Sequence, residues 1–285
     1  MKLAKFGPGG NSSLFTQSGK KSSIEAPLWV SKMNLNAYEY ECGNGVSGSE
    51  ETFASIGLEA AKNGVAMSLH SPYYISLSGI DPAKRLGSIR YILQSLNAAK
   101  LTGSNLIVVH AGSASKIDRR EAVKLASDTL YKLLETLEQY DFDGIKIGLE
   151  TMGKINQLGT LTEIMELCKI DKRFVPVVDF GHLYARSLGT DIVNSDHIKR
   201  VFFTVSSSLG ADIAENMHCH YSCIEFSKGG EYKHLTFDNG KFGPDPLIFA
   251  QTLAELKVAP TVICESAGTQ DVDALFLKSA YMEAL

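Results

Sequence analysis

The sequence predicts an α/β fold, a single (β/α)8 barrel of the TIM type over residues 1–285, on three observations. Short, apolar, β-rich segments alternate with longer segments of helical periodicity, the pattern of βαβ units around a parallel sheet. About eight such strand segments can be counted, and 285 residues comfortably hold a barrel of about 250. Polar residues follow each apolar run rather than precede it, which puts them at the carboxyl ends of the strands, where parallel barrels carry their active sites.

In chain order the strand segments are KLAKFG (2–7), AYEYECG (37–43), VAMSLHS (65–71), NLIVVHAG (105–112), KIGLETMG (146–153), FVPVVDFGH (174–182), NMHCHYS (216–222) and TVICESAG (261–268). Two helices are clear between them. Residues 82–101 carry Leu86, Ile89, Ile92, Leu93 and Leu96 at helical spacing, and residues 120–137 carry Val123, Leu125, Leu130, Leu133 and Leu134. The stretches GNGVSGSE (43–50) and SKGGEY (227–232) read as barrel loops, not domain boundaries.

Apolar residues make up 44% of the chain and charged residues 21%, enough to bury a large core. The opening MKLAKFGPGG reaches glycine and proline before an apolar signal core forms, and no apolar run approaches the roughly 18 residues of a membrane span. The expectation is a cytoplasmic monomer with no membrane partner. Its five cysteines are scattered and read as reduced thiols; Cys219 and Cys223 lie near His218, but burial explains them better than metal binding. A net charge of -4 argues mildly against a broad basic face for nucleic acid, although bound divalent cations would reverse the charge of an acidic site.

The polar tips His70, His110, Glu150, Asp179, His218 and Glu265 follow one another at intervals of 40, 40, 29, 39 and 47 residues. Each interval is close to one βα unit, about 31 residues in a 250-residue barrel, so consecutive strands would gather all six on one rim. Imidazole and carboxylate suit zinc, manganese or iron, and this ring has more ligands than one four-coordinate ion uses. A lone strand-end histidine is commonly a hydrogen-bonded structural residue. Glu150 and Glu265 are stronger candidates, because a carboxylate directly after a buried strand needs a cation, a partner or a proton. Asp179 and His182 face a common cleft across the glycine turn of DFGH, unless Asp179 is an ordinary capping residue. His218 and His220 share one strand face by period two while Cys219 points away, and only one of them is needed as a direct ligand. Glu231 and His234 follow a Gly-Gly turn, either as a further ligand pair or as a solvated one. His197, in SDHIKR, reads as a surface residue.

Carried by SLHSPYY (68–74), VVHAGS (108–113), GLETMG (148–153), VVDFGH (177–182), MHCH (217–220) and VICES (262–266), the chain resembles the endonuclease IV family of the xylose-isomerase-like barrel superfamily over nearly its whole length. The resemblance implies up to three zinc ions, with manganese or iron also compatible with the ligand types. One would be held by His70, His110 and Glu150, a second by Glu150, Asp179, His218 and Glu265, and a third by His182, Glu231 and His234. It further implies an apurinic/apyrimidinic endonuclease of base excision repair, cutting DNA 5′ to abasic sites by a metal-bridged hydroxide. In that scheme Glu150 and Glu265 are catalytic and Tyr73 contacts the DNA.

Two departures from the family are visible. Glu231 precedes His234 by three residues where the family has an Asp two residues before its His, a position held here by Tyr232. The loop GNGVSGSEE (43–51) lacks the arginine that the family inserts into DNA. The alternative reading is a sugar isomerase or epimerase on the same barrel, with one divalent ion on Glu150, Asp179, His218 and Glu265.

Overall fold

The computed structural model describes residues 2–285. Its strands are β1 (Lys5–Pro8), β2 (Ala37–Glu41), β3 (Ala66–His70), β4 (Leu106–His110), β5 (Lys146–Glu150), β6 (Phe174–Asp179), β7 (His218–Tyr221), β8 (Cys223–Ser227), β9 (Gly230–Leu235) and β10 (Thr261–Cys264). Eight of them form one parallel sheet in the order β1-β10-β7-β6-β5-β4-β3-β2. The two ends meet through a parallel bridge between Gly9 and Glu39 and a hydrogen bond from Gly10 N–H to the Glu39 carbonyl at 2.9 Å. At this seam a Cβ on Gly7 would stand 1.6 Å from the Ala37 carbonyl oxygen, so only glycine lets the barrel close. Seven of the eight expected strand segments contain their barrel strands, and the first, 2–7, overlaps β1, which runs one residue further to Pro8.

The expected helices are found at Pro82–Thr102 and Arg119–Leu137. Local chemistry sets their ends. Asp81 and Asp118 accept the backbone N–H groups of Ala83 and Arg120 as N-caps, and Gly103 closes the first helix in the left-handed conformation. Ala122, Ala126, Leu130, Leu133 and Leu137 then press one helical face onto the outside of the barrel.

Alternation along the strands separates two environments. Ile107 and Val109 on β4 and Val178 on β6 join the main core between sheet and helices, whereas Leu106, Val108 and Val177 pack together as a separate small cluster. By period two, His110 continues the row of Leu106 and Val108, and Asp179 that of Val177. On β4 and β6 the barrel interior is therefore apolar below and ionisable at its carboxyl rim.

Two segments differ from expectation. Residues 227–232 take in the two-residue turn, 228–229, and the adjoining strand residues of an antiparallel hairpin, β8–β9, lying outside the barrel sheet and joined to the loop after β5 by a bridge between Lys154 and Gly230. DFGH is not a glycine turn but the start of a helix, Phe180–Arg186, capped by Asp179. His197 lies near the start of the helix Ser195–Leu209 and pairs with Asp191 at 3.0 Å. Among the described residues, no helix is long and apolar enough to cross a membrane.

Candidate metal centre

The carboxyl rim surrounds a cavity of about 700 Å³, whose lining includes Glu41, His70, Tyr73, His110, Glu150, His182, Glu231, His234 and Glu265. Glu150, the last residue of β5, is buried at its centre. Its Oε2 lies 2.9 Å from His110 Nε2 and 3.4 Å from His70 Nε2, and its Oε1 lies 3.2 Å from His220 Nδ1 and 3.3 Å from His182 Nδ1.

Of five groups of side chains with clustered ligand atoms among the described residues, three hold the expected rim residues: His70, His110 and Glu150; Glu150, Asp179, His220 and Glu265; and His182, Glu231 and His234; the other two bring Glu39 together with His218 and His220, and with Glu41 and Glu265. Carbonyl oxygens, which only accept, put the proton on Nδ1 of His70 and of His182, whereas the Ser222 hydroxyl beside His234 serves as donor or acceptor. His70 Nδ1 lies 2.8 Å from the Ser71 carbonyl oxygen, His182 Nδ1 lies 2.9 Å from that of Thr151, and His234 Nδ1 lies 2.9 Å from Ser222 Oγ. With that proton on Nδ1, Nε2 of His70 faces Glu150 and Nε2 of His182 faces Glu231. Asp179 divides its two oxygens between two tasks. Oδ1 accepts His182 N–H at 2.7 Å as the helix cap, and Oδ2 is buried with no hydrogen-bond partner.

Glu150 Oε2 is likewise buried without a hydrogen bond, despite its 2.9 Å contact with His110. Nitrogen and oxygen atoms roughly 3 Å apart but not aligned as hydrogen bonds have the spacing of ligands around an ion bound at about 2.0–2.2 Å. The donor set, imidazoles and carboxylates, fits zinc, manganese or iron.

The electrostatics of the rim are divided. Burial pushes Glu265 well above the usual carboxylate range and Glu41 up to about 7. Glu150 is as deeply buried, yet His110, His182 and His220 hold it well below that range. Against the effect of burial, Glu41 and Glu150 raise His70 to about 10, Asp179 raises His182, and Glu265 and Glu39 raise His220. Burial lowers His110, His218 and His234. A divalent cation held here would offset the negative charge that the rim's carboxylates gather.

Of the expected site residues, His70, His110, Glu150, Asp179, His182, Glu231, His234 and Glu265 come together. His218 does not join them. In the β6–β7 pairing Asp179 is level with His220 while Val177 is level with His218. His218 therefore sits one inward-facing position deeper, where its Nε2 lies 2.9 Å from Glu39 Oε2, and His220 takes the place expected of it. The longer side chain of Glu231 reaches 3.4 Å from His182 Nε2 and 3.9 Å from His234 Nε2. Tyr73 is 57% exposed at the mouth and stacks on His110 with ring centroids 5.7 Å apart. Sequence reasoning missed Glu39 and Glu41, both on the inner face of β2. Their signal was two acids at period two inside the apolar run AYEYE. All five cysteines are free and buried.

A family model described as xylose isomerase-like TIM barrel matches residues 28–280, and the chain belongs to this family. Within it the chain is similar to endonuclease 4 proteins. The probable endonuclease 4 of Acholeplasma laidlawii is 27% identical over 184 residues, 63% of this chain and 60% of that protein's length. An uncharacterised protein of Methanocaldococcus jannaschii is 32% identical over 252 residues, covering 88% of this chain and 89% of its own. Among solved structures, endonuclease IV from Thermus thermophilus superposes with a TM-score of 0.73 at 17% identity, covering 99% of this chain and all of that one. A D-tagatose 3-epimerase-like protein gives 0.71 at 21% identity, covering 98% and 97%. These structures share the barrel, and their names divide between an endonuclease and an epimerase.

Proposed function

We propose that the protein is a metal-dependent phosphodiesterase, an apurinic/apyrimidinic endonuclease that cuts DNA 5′ to abasic sites, with up to three zinc ions as cofactors. One observation carries the reading: Glu150 belongs to two ligand groups at once, and a third group stands beside them on the same rim. A one-ion isomerase uses Glu150, Asp179, His220 and Glu265, and has no task for His70, His110, His182, Glu231 and His234.

Divalent ions held here lower the pKa of bound water and neutralise charge on the attacking and departing oxygens of a phosphodiester. Glu150 joins the first and second groups and fixes their separation. Glu265 lines the cavity at the end of β10, where its carboxylate orients the nucleophilic water and accepts its proton. The exposed ring of Tyr73 offers a stacking face at the mouth, and Lys154 in the cavity lining offers positive charge to a phosphate. We take the chain to be one barrel domain working as a cytoplasmic monomer.

One observation favours the isomerase or epimerase reading. A cavity of about 700 Å³ is of the size that takes a single small molecule. The two readings separate in one assay with the metal-loaded protein. An oligonucleotide bearing a single abasic analogue is nicked by the wild type, and Glu150→Gln loses at least about 100-fold of that activity. Turnover of ketoses without nicking establishes the isomerase instead.

A further inference from the structure

We infer that Arg186 is a positioning residue that sets where the Lys154 ammonium stands at the cavity, by holding the loop after β5 through its backbone carbonyls. The inference rests on the proposed reading of the cavity as a phosphodiester site. Met152, Lys154 and Gln157 of this loop line the cavity, and Arg186 does not. Its guanidinium meets the loop's backbone instead. Nη1 shares its two protons among the carbonyl oxygens of Met152, Lys154 and Gln157 at 3.1, 2.8 and 3.3 Å, and Nη2 donates to that of Ile155 at 3.0 Å.

Four carbonyl dipoles turned toward one point repel one another unless donors or a cation stand between them. The planar fork of Arg186 fills that place, and because its donors lie at fixed angles it sets the direction of each carbonyl. Burial and the neighbouring Arg119 both disfavour a charge here, and the carbonyl oxygens offset them. Arg119 has a different duty. It also reaches the carbonyls of Ile155 and Gln157, but its Nε and Nη2 are paired with Glu163. The carbonyls of Met152 and Lys154 are held by Arg186 and not by Arg119.

The place of Arg186 in the chain links the loop to the ligand groups. It ends the helix Phe180–Arg186, whose N-cap is Asp179 and whose first turn carries His182. Residues four apart share one face of a helix, so His182 and Arg186 turn to the same side. Both hold the loop after β5: His182 Nδ1–H donates to the Thr151 carbonyl at 2.9 Å, and Arg186 takes carbonyls that follow it. One short helix therefore sets a ligand of the third group and the backbone of Lys154 in a single frame. The hairpin closes the other side, through the bridge between Lys154 and Gly230 and the Ile155 N–H donating to the Gly229 carbonyl at 3.0 Å. A backbone pinned in this way directs the long, exposed side chain of Lys154 to the cavity, whereas a loose one would lose affinity to the entropy of ordering the loop on binding.

The test is a double-mutant cycle in the nicking of an oligonucleotide bearing a single abasic analogue, at saturating Zn2+, with the full chain as wild type, Arg186→Lys, Lys154→Ala and the double variant. Lysine keeps the charge and loses the fork. Arg186→Lys is expected to raise KM about 10-fold with kcat within about 3-fold, because Lys154 meets a phosphate alike in the ground state and the transition state. In the Lys154→Ala background the same change is expected to raise KM by no more than about 2-fold, since the side chain it positions is gone. Additive effects, a wild-type KM in Arg186→Lys, or a fall in kcat at unchanged KM overturn the inference. If Arg186→Lys does not fold, Arg186→Gln takes its place in the cycle with the same expectations. A wild type that does not nick overturns the nuclease reading and the inference with it, whereas a nicking wild type with an additive cycle overturns the inference alone.

Discussion

Asp179 and His220 stand level on adjacent strands, while the histidine two residues earlier, His218, is level with the apolar Val177. The pairing register thereby sorts two histidines of one strand face, placing His220 at the rim and His218 one inward-facing position deeper, against Glu39. A one-step difference in depth has a measurable consequence. On the proposed metal reading, His220→Ala removes a ligand and is expected to lower Zn2+ affinity about 100-fold, whereas His218→Ala leaves the three rim groups intact and lowers it by about 10-fold or less. Competition titration of the two variants side by side checks the order; equal effects would contradict it.

The third ligand group depends on how closely the β8–β9 hairpin lies against the loop after β5. Glu231 N–H donates to the Gly153 carbonyl at 3.1 Å, and a Cβ on Gly153 would stand 2.7 Å from Glu231 Cβ and 3.0 Å from His182 Cδ2. Gly153→Ala is therefore expected to push the hairpin outward, at a cost of about 1–3 kcal/mol in stability. Bound metal should fall by one equivalent while the two groups sharing Glu150 stay filled. Metal analysis of the dialysed variant reads this directly, and His234→Ala should give the same loss without the strain.

The loop after β5 is tied down by an ion pair with its own pH signature. Arg119 meets Glu163 at 2.8 and 2.7 Å and also donates to the carbonyls of Ile155 and Gln157, while Glu163 accepts the N–H groups of Gly159 and Thr160. Against the effect of burial, Arg119 and these N–H groups lower Glu163 to about 2 from 4.5. A carboxylate lowered in the folded state contributes stability that is fully present above 4.5 and is lost as the pH falls toward 2. With partial exposure of Arg119 taken into account, that contribution is about 1–2 kcal/mol. Denaturant unfolding of Glu163→Gln should show this loss at pH 7 and a flatter slope between pH 5 and 3, a range about the unfolded carboxylate value. An unchanged slope would assign the acid sensitivity elsewhere.

The barrel was legible in the sequence because its strands are short apolar runs with punctuation at both ends, and a parallel sheet buries both faces of such runs. The rim was legible for a related reason: acids and imidazoles directly after VVH, GLE, VVD and ICE have no solvent to turn to. Depth was harder to read. His218 and His220 share one face by alternation, and only the register with β6 tells which is the outer one. Glu39 and Glu41 escaped notice because they lie within the strand segment AYEYE instead of at its tip, where the polar residues were sought. The hairpin was read as a loop because β8 and β9 are joined across a Gly-Gly turn and pair with each other, outside the barrel sheet.

The central claim is that the rim is a polynuclear metal centre, and the most direct measurement is the number of divalent ions bound per chain after dialysis. Elemental analysis of the purified wild type is predicted to find close to three equivalents, one for each of the three groups that hold Glu150 or His182. A single equivalent, removed by changing Asp179 or Glu265 and unaffected by changing His110 or His234, would contradict it.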